Sequence, residues 1–261
     1  MKPPRFAYHA PATLAEALEL LATLPEARVL AGGQSLMPML NFRIAAPAHL
    51  VDLNNLSSLS FIKESERHIT IGAMTRQRDL EQSALIARRI PLMGEAIRHV
   101  GHRQTRNRGT LGGSLAHFDP AAELAAIATA LDAEVVMRSR RSERVLSMKE
   151  FGRGLLTTAL QPDEIITEIR FPHLPEGHGF AFEEFARRHG DFAIASAAVV
   201  ALEGRTAIVL GGVGPIPQRV SREDALAGRF ETMDDHAYPG WYRRKVGIAL
   251  VRRALGRAAR A

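Results

Sequence analysis

Two glycine turns, far apart in the chain, constrain the fold more than any other feature. Ala31-Gly32-Gly33-Gln34-Ser35 follows a strand-like run, and Thr110-Leu111-Gly112-Gly113-Ser114 follows an irregular, arginine-rich loop. Glycine lets backbone N–H groups approach a phosphate closely, and neighbouring hydroxyl or amide side chains add donors. Brought together, two such turns suit a pyrophosphate. Neither has the G-x-G-x-x-G spacing of a dinucleotide fingerprint or the lysine of a P-loop, and either alone reads as an ordinary tight turn. A chain that uses both needs a fold that converges distant segments.

With 261 residues there is room for two domains and a sizeable core. The 46% hydrophobic and 24% charged content is that of a globular protein. No cysteine is present, which excludes disulfides, thiolate zinc sites, cysteine nucleophiles and cysteine-ligated iron–sulfur clusters within the chain. Redox chemistry here requires a bound organic cofactor. The N-terminus lacks a signal-peptide apolar region, and the longest apolar run, Phe192 to Leu202, falls short of the roughly 20 residues of a membrane span. The reading is a cytoplasmic protein without a membrane span. The net charge of +6 is spread, concentrated only in Arg138-Ser139-Arg140-Arg141 and the C-terminal tail. A solvated basic face or a surface for acidic partners suits it better than nucleic acid, for which no motif is present.

Thr13-Leu14-Ala15-Glu16 has capping-box form and opens a helix that Pro25 stops before the strand Arg28 to Ala31. His49 to Leu53 reads as a buried strand, and Leu59 to Ile62 with His68 to Ile71 as a hairpin around Glu64-Ser65-Glu66. A helix is expected from Pro91 to Val100, ended by Gly101; Gly101 to Pro120 reads as a long irregular loop. Ala121 to Leu131 reads as a helix, Glu134 to Met137 and Glu164 to Phe171 as strands. The Pro172, Pro175 and Gly177 cluster marks a domain boundary near residues 172–178. Beyond it, Ala193 to Leu202 and Thr206 to Leu210 read as strands, and Trp241 to Ala259 as a basic amphipathic helix.

Several segments together carry a family resemblance. They are Ala31 to Pro38, Val51-Asp52-Leu53-Asn54, Arg106 to His117 with Asp119-Pro120-Ala121-Ala122-Glu123, and Gly211-Gly212-Val213-Gly214-Pro215. In order and spacing they resemble the FAD-binding medium subunit of the carbon monoxide dehydrogenase and xanthine dehydrogenase family of molybdenum hydroxylases, nearly end to end. The resemblance implies an α+β fold: a two-part FAD-binding domain of the vanillyl-alcohol-oxidase type over residues 1–174, with subdomains of about 1–55 and 56–174, then a small α+β domain over 175–261. It implies that FAD is held non-covalently. The pyrophosphate would lie on Gly32, Gly33, Gln34 and Ser35 together with Gly112, Gly113 and Ser114, flanked by Ala31, Leu36 and Thr110. Asp119 and Glu123 would lie near the ribose and ribityl hydroxyls; a carboxylate there can accept two hydroxyl hydrogen bonds, although Glu123 also suits a plain helix-start acid.

Arg187-Arg188-His189-Gly190-Asp191-Phe192-Ala193 resembles the segment that brings an aromatic and a polar group beside the flavin, placing Arg187, Asp191 and Phe192 at the site. Where some relatives carry tyrosine, Phe192 keeps the apolar contact without the hydroxyl; a core residue at a strand start is the equal alternative. No catalytic dyad or triad is apparent, and His99, His102 and His117 lack the companions of a metal site. Arg103, Arg106 and Arg108 suit phosphates, a partner chain or plain solvation. The chain is shorter than its relatives between Arg229 and Tyr242. The partners implied are a molybdopterin-binding large subunit and a two-cluster 2Fe–2S small subunit, in a dimer of heterotrimers.

Overall fold

The computed structural model describes residues 1–259. The helix Leu14–Thr23 starts where Thr13 Oγ1 accepts from the Glu16 N–H; the Glu16 carboxylate reaches one residue further back than the usual box, to the Ala12 N–H at 2.8 Å. Its buried face of Ala17, Leu18 and Leu21 covers a small three-stranded sheet. There His49–Asp52 lies in the centre, parallel to Ala7–His9 on one side and Ala27–Leu30 on the other. Parallel neighbours need a crossover, and the Leu36–Asn41 helix lies in the connection between Ala27–Leu30 and His49–Asp52. The turn at residues 31–36 is therefore fixed at a strand's C-terminal end.

The second layer is a five-stranded antiparallel sheet in the order Ile62–Glu64, His68–Gly72, Ile165–Pro172, Glu134–Arg138, Glu143–Ser147. The hairpin forms, but with Leu59 in a single 3₁₀ turn and Ile62 facing Ile71. The helix begun by Pro91 keeps its regular form only to Ala96, the last turns loosening toward Gly101, whose φ of +47° ends it.

The segment Gly101 to Pro120 contradicts the expectation of an irregular loop. It holds two short helices, Arg103–Arg108 and Leu111–His117. Composition hid them because tertiary contacts outweigh weak propensity. Arg106, 8% exposed, is bound by Glu81 and by the carbonyls of Val100 and Gly101. Thr110 Oγ1 caps the second helix by accepting from the Gly113 N–H. The Gly112-Gly113 pair is consequently a first helical turn, with neither residue at positive φ.

After residues 172–178 comes a four-stranded antiparallel meander, Gly179–Phe185, Ala195–Leu202, Arg205–Gly211 and Gln218–Val220. Strand alternation divides its side chains between two cores. Ala197, Val199, Ile208 and Leu210 meet Leu250, Val251 and Ala254 of the helix Gly240–Ala258. On the other face, Phe182, Ala198, Val200 and Val209 join the main core, which contains the helix Glu123–Ala130. That helix is buried at all but one position, so it seats the C-terminal sheet against the rest of the molecule. Each fully buried Val or Leu contributes about 1.5–3 kcal/mol of transfer free energy; polar substitution of Val199 or Val209 would loosen one face or the other. On the helix Gly240–Ala258, buried Arg243 donates to the Ile194 and Gly212 carbonyls, both at 2.6 Å, and pairs with Asp235. One guanidinium thereby ties helix, sheet and loop.

Candidate functional site

A cavity of 670 Å³ opens where the 31–36 turn, the 109–123 segment and the loops at 156–162 and 190–192 meet. Its volume is in the range of small-molecule sites. The two glycine turns converge on it. A Cβ on Gly32 would stand 2.2 Å from the Arg108 carbonyl oxygen and 2.8 Å from Gly109 Cα; one on Gly113 would stand 3.4 Å from Ala31 Cβ. Polar stitching holds the approach: Asn54 Nδ2 donates to the Ala31 carbonyl at 3.0 Å, and Arg76 donates to Asn54 Oδ1 at 2.6 Å and to the Arg108 carbonyl. The Asp52-Leu53-Asn54 segment works as this clamp.

The turns differ in what they offer a ligand. The Leu111 and Gly112 amides donate to the Thr75 and Ala73 carbonyls, Gly113 to Thr110 Oγ1 and Ser114 to the Thr110 carbonyl. The backbone donors expected of Gly112, Gly113 and Ser114 are thus consumed by the helix and its sheet contact. This turn retains side-chain hydroxyls: Ser114 Oγ makes no hydrogen bond among the described residues, and Thr110 Oγ1 keeps its proton for donation. By contrast, the amides of Gly32, Gly33, Gln34, Ser35 and Leu36 have no acceptor among the described residues. Gly33 at φ +73° turns the chain sharply just before the helix that Ser35 opens. All of these residues line the cavity.

Asp119 and Glu123 line it too. Asp119 Oδ1 accepts from the Ala121 N–H at 2.9 Å, which sets the start of the Glu123 helix. Glu123 is only 4% exposed and meets the carboxyl of Glu184, on the strand Gly179–Phe185. Burial pushes Glu123 up to about 7, and burial with the Glu123 charge pushes Glu184 up to about 8. A plain helix-start acid faces solvent; Glu123 does not.

Several lining residues escaped the sequence reading. Gln77 is buried at the cavity wall, and its Oε1 has no partner. Thr157, Thr158 and Gln161 add polar atoms, beside His117 at the end of the Arg106 to His117 segment already marked. Burial, with Arg28 adding to it, holds the His117 imidazole below its usual pKa. Only local hydrophilicity announces the threonine pair, which an edge hairpin, Gly152–Gly154 with Thr157–Thr158, carries to the site.

Phe192 is 62% exposed and lines the cavity with Asp191, so it is no core residue. Arg187 stands outside the lining, exposed, with its guanidinium 3.3 Å from Asp191 Oδ2. Of the fifteen residues marked by the sequence, it alone is not brought to the cavity wall. Among the described residues, no three histidine, aspartate or glutamate side chains gather as a metal would require, and no helix is long and apolar enough to cross a membrane.

Comparison with known proteins gives one family. Residues 4–174 match the model of the FAD binding domain in molybdopterin dehydrogenase. The chain is 40% identical to caffeine dehydrogenase subunit beta of a Pseudomonas species, covering 99% of this chain and 96% of the relative; the alignment spans 284 positions, so the relative has segments that this chain lacks. It is 46% identical over 201 residues to the 6-hydroxypseudooxynicotine dehydrogenase complex subunit alpha of Paenarthrobacter nicotinovorans, 77% of this chain and 68% of that one. A solved structure of carbon monoxide dehydrogenase from Hydrogenophaga pseudoflava superposes with a TM-score of 0.94 at 35% identity, covering 100% of this chain and 99% of that chain. An α+β chain with two turns clamped on one cavity, matched across its whole length in this way, belongs to the FAD-binding subunits of the molybdenum hydroxylase family.

Proposed function

We propose that the chain holds FAD in the 670 Å³ cavity and relays electrons from a 2Fe–2S small subunit to an external acceptor, while a molybdopterin-binding large subunit hydroxylates the substrate. One observation carries the reading: a loop of five unpartnered amides, Gly32 to Leu36, faces the same cavity as the Thr110 and Ser114 hydroxyls and the Asp119 and Glu123 carboxyls. Donors suit a pyrophosphate, and carboxylates suit sugar and ribityl hydroxyls. The donor set fits FAD. The 32–36 loop binds the diphosphate, Gln77 Oε1 and Glu123 accept from hydroxyl or ring N–H groups, and Phe192 covers an apolar face. Bound there, FAD supplies two-electron chemistry that can be returned in single steps, which suits a link between iron–sulfur centres and an acceptor.

The protein's own part is orientation and electrostatics, supplied by the residues that line the cavity. Residues 1–174 form the FAD-binding unit and 175–261 the C-terminal unit, with Arg187 tuning the position of Asp191 from outside the cavity. Because the chain has no cysteine, the iron–sulfur centres of this relay belong to another subunit. Exposed Phe42, Ile44, Leu155, Leu156 and Trp241 offer apolar surface for those partners in a cytoplasmic dimer of heterotrimers. Titration of the flavin-free chain with FAD, FMN and riboflavin tests the reading. FAD binding at one per chain and at least about tenfold tighter than FMN is expected from the added diphosphate contacts; equal affinities for all three would overturn it.

A further inference from the structure

Glu184 belongs to no segment that the sequence marked. It lies in Phe180-Ala181-Phe182-Glu183-Glu184-Phe185, where alternation gives no sign of a site. Its side chain is 5% exposed, its Oε2 has no hydrogen-bond partner in the protein, and the Glu123 carboxyl is its neighbour. Carboxylates only accept; a hydrogen bond between two carboxyls requires a proton on one of them.

The groups that face the pair compensate its charge only in part, Arg106 acting on Glu123 from a distance. His99 Nδ1 lies 3.7 Å from Glu184 Oε1, but burial and the neighbouring His189 push that imidazole toward its neutral form. The Arg106 guanidinium is committed to Glu81 and two carbonyls, and Arg257 to Glu95 and Glu183. Asp119 adds a further negative charge near Glu123. One shared proton is the remaining way to keep two carboxyls together out of water.

We propose that Glu184 is the positioning residue for Glu123: it keeps the pair's proton, donates a hydrogen bond through it to Glu123, and so holds the Glu123 carboxylate as a fixed acceptor toward the hydroxyls of the cofactor. This role rests on the FAD reading of the cavity. The environments agree with that order, because the hydrogen bond favours the ionised form of Glu123 and disfavours that of Glu184. A merely structural glutamate would only fill space.

The pair also sets a pH dependence. Both carboxyls are raised in the folded chain, so the stability they contribute is full below the unfolded carboxyl range and is lost as pH rises through the folded values, about 7 and about 8. Melting curves of the flavin-free chain between about pH 5 and 9 therefore read the shared proton without any ligand. The test compares Glu184→Gln, which donates without titrating, with Glu184→Met, which fills the space without donating. Glu184→Gln should flatten the fall of Tm with pH and keep the FAD Kd within about threefold, whereas Glu184→Met should raise Kd about tenfold or more. FAD binding by Glu184→Met as tight as that of the parent, or an undiminished fall of Tm with pH in Glu184→Gln, would overturn the role. Failure of the parent chain to bind FAD would overturn the cavity reading itself, and is seen before any variant is made.

Discussion

Adding one methyl group at Gly32 tests the convergence of the two turns. The new Cβ of Gly32→Ala would sit 2.2 Å from the Arg108 carbonyl oxygen, with Arg108 C and Gly109 Cα each at 2.8 Å. All three are backbone atoms, so no side chain can swing away. To reach even 3.0 Å the turns must part by about 0.8 Å, in a region clamped by Asn54 and Arg76. Overpacking of this kind costs about 1–3 kcal/mol. Because the same displacement moves the five free amides off their ligand, the FAD Kd should rise by about 5- to 150-fold. Flavin fluorescence titration measures it, with a thermal melt to confirm folding. Gly154→Ala is the control, since a Cβ there meets nothing within 4 Å and should leave Kd within about twofold. A Gly32→Ala chain that binds FAD within about twofold of the parent would refute the packing argument.

Other substitutions separate binding from stability. Glu123→Gln, compared with the parent at a pH above the raised carboxyl range, should weaken FAD by about 1–3 kcal/mol, and unchanged affinity would return Glu123 to a helix-start role. Arg106→Met leaves the Val100 and Gly101 carbonyls without its donor and Glu81 with Arg78 as its remaining guanidinium; a loss of about 1–3 kcal/mol in unfolding free energy by denaturant titration is expected. Phe192→Ala should leave the melting temperature of the flavin-free chain unchanged, since the ring is 62% exposed, while shifting the visible spectrum of bound flavin. A large drop in that temperature would restore Phe192 to the core.

Local chemistry explains why much of this was legible. Thr13 and Glu16, Pro91 and the apolar runs before and after residues 203–204 act through short-range geometry, and each produced the element read from it, although the Pro91 helix is regular only to Ala96. The site's outline was legible because glycines that the backbone requires leave a pattern in sequence. What failed was the division of labour between the turns. Nothing in Thr110-Leu111-Gly112-Gly113-Ser114 says that its amides go to Ala73, Thr75 and Thr110, for those acceptors are set by tertiary packing. Glu184 and Gln77 were invisible for the same reason: each looks like an ordinary polar residue until a distant segment buries it. Arg187 shows the converse, a residue marked by its neighbours whose side chain points to Asp191 from outside.

A cysteine-free flavin relay must be fed from outside the chain. Flavin absorbance read in rapid mixing tests this directly, with the FAD-loaded chain alone or joined to its partner subunits. The partners' iron–sulfur centres are reduced beforehand and the excess reductant is removed. Bleaching of the flavin band is expected only when the reduced partners are present, slowing as salt weakens assembly with the basic chain. An assembled complex whose reduced iron–sulfur centres leave the flavin oxidised would contradict it.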